Sequence, residues 1–132
     1  MPIRYRVDRA VGCIFTTAEG TLTDEELLEH ARRLEEDPEA DPRCDEVIDV
    51  RKVRGVGPSS GTVRETASIL RGGERLEKGA RLAIVATSEA GFGTGRMFEA
   101  LSGDSEERVR TFRGMEEALA WLGIAGPTGG ES

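Results

Sequence analysis

Two short segments carry residue types whose spacing suits chemistry. Pro58-Ser59-Ser60-Gly61 puts two hydroxyls where an extended run gives way to a helical one, and Ser59 or Ser60 there caps the helix or accepts a modification. A helix start tolerates a dianionic phosphate, because its amide groups and dipole favour negative charge. The second segment, Gly91-Phe92-Gly93-Thr94-Gly95-Arg96, follows an apolar run and leads into another helix. Two readings stand for it. It is a structural turn with Thr94 as cap, or Gly93, Thr94, Gly95 and Arg96 hold a phosphate or carboxylate with backbone amides and a guanidinium. It departs from a dinucleotide fingerprint, whose first glycine follows the strand directly; here four residues separate Ala86 from Gly91.

Other reactive types are scattered. His30 is the one histidine, and without Cys or a second His beside it an imidazole makes a poor metal site. Its helix gives no sign of a cleft, and the carboxylates read as capping or solvated types. The sequence therefore points to no catalytic constellation, no metal and no cofactor. Cys13 and Cys44 lack metal-ligand spacing and read as buried free thiols, reduced in a cytosolic compartment.

These residues must be positioned by a chain of 132 residues, enough for one ordinary core. Aromatic residues are only 5%, so that core is built mainly from Leu, Val, Ile and Ala. A net charge of −7 argues against nucleic acid, which needs clustered cationic excess. Acidic residues dominate from Glu19 to Asp49 and basic ones from Arg51 to Lys78, as solvated helix faces or as a bipolar surface suited to a charged partner or a second copy. No apolar run approaches bilayer length and no leader-like segment opens the chain, so the expectation is a cytoplasmic protein without membrane contact.

Ile3, Tyr5 and Val7 alternate with polar residues as in a half-buried strand, and Val11, Cys13 and Phe15 predict a hairpin partner. Thr23 and Glu26 make a capping box for a helix with Leu27, Ala31 and Leu34 on one face, stopped before Pro38. Val47, Ile48 and Val50 predict a strand containing Asp49, whose carboxylate needs Arg51 or the next helix as partner. Val63, Ala67 and Leu70 predict a helix closed at Gly72-Gly73. Arg81 to Ala86 predicts a central strand, and Met97, Ala100 and Leu101 a third helix. Val109 to Phe112 predicts a last strand, and Met115, Ala118, Trp121 and Leu122 a last helix. Phe98 and Trp121 fall on apolar helix faces and read as core. The order predicts an α/β fold: one mixed five-stranded sheet, opened by an antiparallel hairpin, with about four helices. The domain spans 1–124, and 125–132 reads as a flexible tail.

Gly20-Thr-Leu-Thr-Asp-Glu-Glu-Leu, Val47-Ile-Asp-Val-Arg, Gly95-Arg-Met-Phe-Glu and Val109-Arg-Thr-Phe through Ala118-Leu-Ala-Trp-Leu, in this order, resemble the SpoIIAA-like branch of the STAS-like superfamily of anti-sigma factor antagonists. The resemblance covers almost the whole chain to Ile124. It implies a bacterial, non-enzymatic regulatory module that binds a protein partner or itself as a homodimer. By the same resemblance Ser59, or its neighbour Ser60, is the phosphoacceptor, although Pro58 stands where that motif has aspartate. Lipid-carrying CRAL-TRIO domains share the broad superfamily look, which keeps a small-ligand (lipid, nucleotide or anion) binding domain as the alternative.

Overall fold

The computed structural model describes residues 3–41, 43–55, 57–72, 79–101 and 108–124. In chain order they form β1 (Ile3–Asp8), β2 (Cys13–Thr21), α1 (Asp24–Glu36), β3 (Asp45–Arg54), α2 (Ser60–Gly72), β4 (Leu82–Val85), α3 (Glu89–Leu101), β5 (Val109–Phe112) and α4 (Met115–Leu122). The sheet order is β1-β2-β3-β4-β5, with β1 antiparallel to β2 and every other neighbouring pair parallel. The mixed five-stranded sheet and its opening hairpin are as the alternation predicts.

Each parallel crossover steps to the adjacent strand, and α1, α2 and α3 pack side by side on one face of the sheet, as crossovers of a single hand require. Ile3, Ala18, Ile48, Ile84 and Val109 face Val63, Ala67 and Phe98 in the main core on that side. On the other face Cys13, Val47, Ala83 and Val85 meet Ala118, Leu119 and Leu122 of α4. β4 is thus covered on both faces, as its continuous apolar run requires. Burial pushes the Cys13 thiol up to about 12, so it stays a protonated, unreactive core group.

Local signals explain most element boundaries. The Thr23 hydroxyl accepts the Glu26 amide at 3.2 Å and the Glu26 carboxylate accepts the Thr23 amide at 2.9 Å, completing the capping box of α1. At the far end of α4, Gly123 turns left-handed at φ 76°, and the Ile124 amide reaches back to the Leu119 carbonyl at 3.0 Å. The side chain of Arg81 completes that terminus, donating through Nη1 to the carbonyl of Trp121 at 2.9 Å and through Nη2 to that of Leu122 at 3.0 Å and to the Asp45 carboxylate at 3.3 Å. Arg81→Met keeps the stem and removes these charged donors. It should lower stability by about 2 kcal/mol in urea denaturation, the scale of lost bonds to a charged group, and a change below about 0.5 kcal/mol would refute the capping role.

Three expectations are corrected. Val11 is not a strand residue: it sits 47% exposed in the turn between Asp8 and Cys13, where the Asp8 carboxylate accepts the Ala10 amide and Gly12 turns at φ 67°. β2 instead runs on to Thr21. The segment Gly91 to Gly95 is not a loop, because α3 starts at Glu89 and Ser88, not Thr94, caps it, its hydroxyl accepting the Gly91 amide at 2.9 Å. Glycine disfavours helix interiors, but close packing decides here. A Cβ on Gly95 would stand 2.7 Å from Cγ2 and Oγ1 of Thr111, and one on Gly91 3.3 Å from the Ala86 methyl. The third correction, concerning His30, belongs to the site below. The expected tail at 125–132 and the helix end at Gly73 lie outside the described residues.

Candidate functional site

A strand with period two sends alternate side chains to opposite faces. In β3 this puts Glu46 on the same side as Ile48 and Val50, beneath the helices, only 6% exposed. A carboxyl group there needs partners, and two are supplied. The Thr16 hydroxyl of β2 donates to Glu46 Oε2 at 2.7 Å, and His30 Nε2 of α1 lies 3.0 Å from the same oxygen. His30 is itself 7% exposed. The expectation of a helix without a cleft is therefore corrected: His30 follows Leu27 by three residues and precedes Leu34 by four, so it shares the buried stripe.

The network continues through Tyr5, whose ring meets His30 edge-on at 5.6 Å and whose hydroxyl donates to Asp37, the C-cap of α1. Burial, reinforced by that bond, pushes the Tyr5 phenol up to about 12 from its usual 10. Since the folded value is the higher one, the stabilisation is complete below pH 10 and lost as pH rises from 10 toward 12. Tyr5 is the one tyrosine, so phenolate absorbance reports it alone. Its midpoint in the folded protein should lie near 12, and a midpoint near 10 would show that the Asp37 contact is not held.

Above Glu46, between the helices and the sheet, lies a partly open cavity of about 140 Å³. Its floor is Glu46, Ile48, Val50, Leu82 and Ile84. Its walls are Leu27, His30, Ala31 and Leu34 from α1, Val63, Thr66 and Ile69 from α2, and Gly91, Thr94, Gly95 and Phe98 from α3. Ala31, with its single methyl group, is the smallest side chain that α1 contributes to the wall. The wall is apolar apart from a few groups. Thr66, 6% exposed, is one of the lining residues, and its buried hydroxyl oxygen has no hydrogen-bond partner among the described residues.

The residues singled out in the sequence lie elsewhere or are recruited differently. Ser59 caps α2, its hydroxyl accepting the Thr62 amide at 3.2 Å, while its own amide and hydroxyl donate to Asp24 of α1 at 2.9 and 3.1 Å. Those bonds, the Ser59 amide first, hold the Asp24 carboxyl below its usual range. Ser60 is exposed at the first position of α2. Gly93, Thr94, Gly95 and Arg96 lie beyond the first turn of α3, where amides serve the helix rather than an anion. Thr94 and Gly95 line the cavity, and Arg96 pairs with Glu99 at 3.5 Å. Asp49 has the partner expected of it, Arg51 at 2.8 Å. The sequence reading missed Glu46 and Thr66. The signal for Glu46 was its two-residue spacing from Ile48; Thr66 falls three residues after Val63 on the helix face that also carries Ile69.

Among the described residues no group of three or more His, Cys, Asp or Glu is placed to hold a metal ion, and no helix is long and apolar enough to cross a membrane. No protein-family model and no curated protein matches the chain. Among solved structures, the chain is similar to an uncharacterised protein of the DUF3478 family with a SpoIIAA-like fold from Shewanella loihica PV-4. The identity is 22% and the TM-score 0.60, over 91% of this chain and 93% of that one. The chain has a SpoIIAA-like fold.

Proposed function

We propose that this SpoIIAA-like domain is a binding module, not an enzyme, that takes up a small, largely apolar ligand between its three helices and the sheet. The observation that supports it is the cavity of about 140 Å³, lined by aliphatic side chains with a hydrogen-bonding pair, His30 and Glu46, in its wall. Small-molecule sites have this character: concave, mostly apolar, with a few placed polar groups. Well-packed interiors do not leave such a space by default.

The regulatory reading, with Ser59 as phosphoacceptor, has less support. A phosphate there would exchange two hydrogen bonds to Asp24 for a contact between like charges. It would therefore act by parting the N-termini of α1 and α2, and peptide mapping from the native cell tests it.

Ligands that bind only the folded state raise the melting temperature. A thermal-shift panel of apolar compounds, short fatty acids and nucleotides should give stabilisation by members of the apolar set. Ala31→Phe, which fills the cavity from α1, should abolish the shift while keeping a cooperative transition. A flat panel, or shifts that survive in the filled variant, would refute the reading.

A further inference from the structure

We infer that the cavity receives an apolar ligand bearing an O–H or N–H group and no negative charge, of the alcohol or N–H heterocycle class, whose hydrogen is donated to Nδ1 of His30. The inference rests on the binding reading above and adds to it the atom that receives the ligand and the chemistry which that atom selects.

The tautomer of His30 follows from its partner. Glu46 Oε2 accepts the Thr16 hydroxyl at 2.7 Å, and His30 Nε2 lies 3.0 Å from the same oxygen. A carboxylate oxygen only accepts, so Nε2 carries the hydrogen and donates it. In a neutral imidazole the bond made by one ring nitrogen sets the state of the other, and Nδ1 is left with a bare lone pair. Tyr5, which meets the ring edge-on, does not supply it with a donor, because the phenol hydroxyl is given to Asp37.

Nδ1 is also within reach. The contact at Nε2 is the one hydrogen bond of His30 among the described residues. Two buried polar atoms are both unbonded and sealed from solvent among those residues, the hydroxyls of Thr66 and Thr111, and Nδ1 is not one of them. His30 is 7% exposed and lines the cavity, so the space before Nδ1 is the cavity itself.

A bare acceptor in an apolar wall selects for a donor. An occupant that covers Nδ1 without donating to it leaves a buried acceptor unmatched, which costs affinity. An alcohol or an N–H heterocycle supplies the missing hydrogen. Charge narrows the class further. No lysine or arginine lines the cavity among the described residues, whereas Glu35 and Glu46 do. A carboxylate or phosphate would therefore meet no cation there and would bring Nδ1 no hydrogen.

The chain has one histidine, so long-range nitrogen–proton correlation in a labelled sample reads its ring unambiguously. The free protein, with the ring neutral in the same spectrum, should show a hydrogen on Nε2 and none on Nδ1. Titration of the full chain with hexanol should move the Nδ1 resonance. The isomeric methyl pentyl ether, which keeps the oxygen but has no donor, should leave that resonance in place and bind about fivefold more weakly, the worth of one net hydrogen bond. Hexanoate should bind more weakly than hexanol. In the combined variant Thr16→Val, His30→Leu and Glu46→Leu, hexanol should lose its advantage over the ether. A hydrogen on Nδ1 in the free protein, an unmoved Nδ1 resonance at saturation with hexanol, hexanoate matching hexanol, or an advantage that survives in the combined variant would each overturn the inference. Hexanol and ether binding equally, both lost in Ala31→Phe, would refute the donor assignment and leave the binding module standing. If none of the three probes binds, the inference is refuted, and the module falls with it only if the thermal-shift panel is flat as well.

Discussion

Glu46→Ala should lower stability by about 3 kcal/mol, from roughly 1–3 kcal/mol for each buried hydrogen-bonding group left without its partner. The reason is what remains. His30 and the Thr16 hydroxyl both direct hydrogen-bonding groups at Glu46 Oε2, and without it each is buried beneath α1 with its bond unmade. Replacing the three groups by apolar ones, as in Thr16→Val, His30→Leu and Glu46→Leu together, leaves none of these three orphaned. That triple variant should be far closer to wild type than Glu46→Ala alone, because replacing all partners of a buried hydrogen bond by apolar groups can be nearly neutral or stabilising. Urea denaturation of both variants decides it. A single substitution costing under 1 kcal/mol, or a triple variant less stable than the single one, would show that the network does not behave as a buried unit. A loss of this size is a large share of the roughly 5 to 15 kcal/mol that holds a domain together.

The second large effect is expected at Gly95. Alanine there gains about 1 kcal/mol of helix propensity, yet its methyl would sit 2.7 Å from Cγ2 and Oγ1 of Thr111. Overpacking of that kind forces α3 away from β5, and the net loss should be about 2 kcal/mol. Thr111→Ala removes both of the closest atoms, together with a hydroxyl that has no partner among the described residues. It should therefore recover most of the loss when combined with Gly95→Ala, a coupling that a double-mutant cycle reads directly. Additive effects of the two substitutions would contradict the contact.

These two sites also show where the sequence was legible and where it was not. Capping chemistry and alternation are local, so the start of α1 at Thr23 and the pairing of β1 with β2 could be read from a few neighbouring residues. The apolar run at β4 announced a doubly covered strand for the same reason. The glycines of α3 were misread because their local signal, weak helix propensity, is opposed by close packing, of Gly95 on Thr111 of β5 and of Gly91 on Ala86, that is invisible in the chain. Val11 continued an apolar alternation, but the Asp8 and Gly12 turn takes it out of register. His30 reads in sequence as lying on a helix without a cleft, and the carboxylates in general as capping or solvated types. The spacing of His30 and Glu46 placed them on buried faces, where each has the other 3.0 Å away and Glu46 has the Thr16 hydroxyl as well. Thr66 carried no local sign that its hydroxyl would lack a partner.

The monotonic strand order has a bearing on where anything can bind. In sheets wound in two directions, chain crossings diverge at one point and leave a crevice beyond the carboxyl ends of the strands, where ligands settle. Here every crossover steps from β2 toward β5 without reversal, so that divergence never occurs and no such crevice is opened by the winding. Room for a guest has to be made by trimming side chains under the layer of helices, which ties capacity to single residues such as Ala31 and makes selectivity adjustable one methyl group at a time.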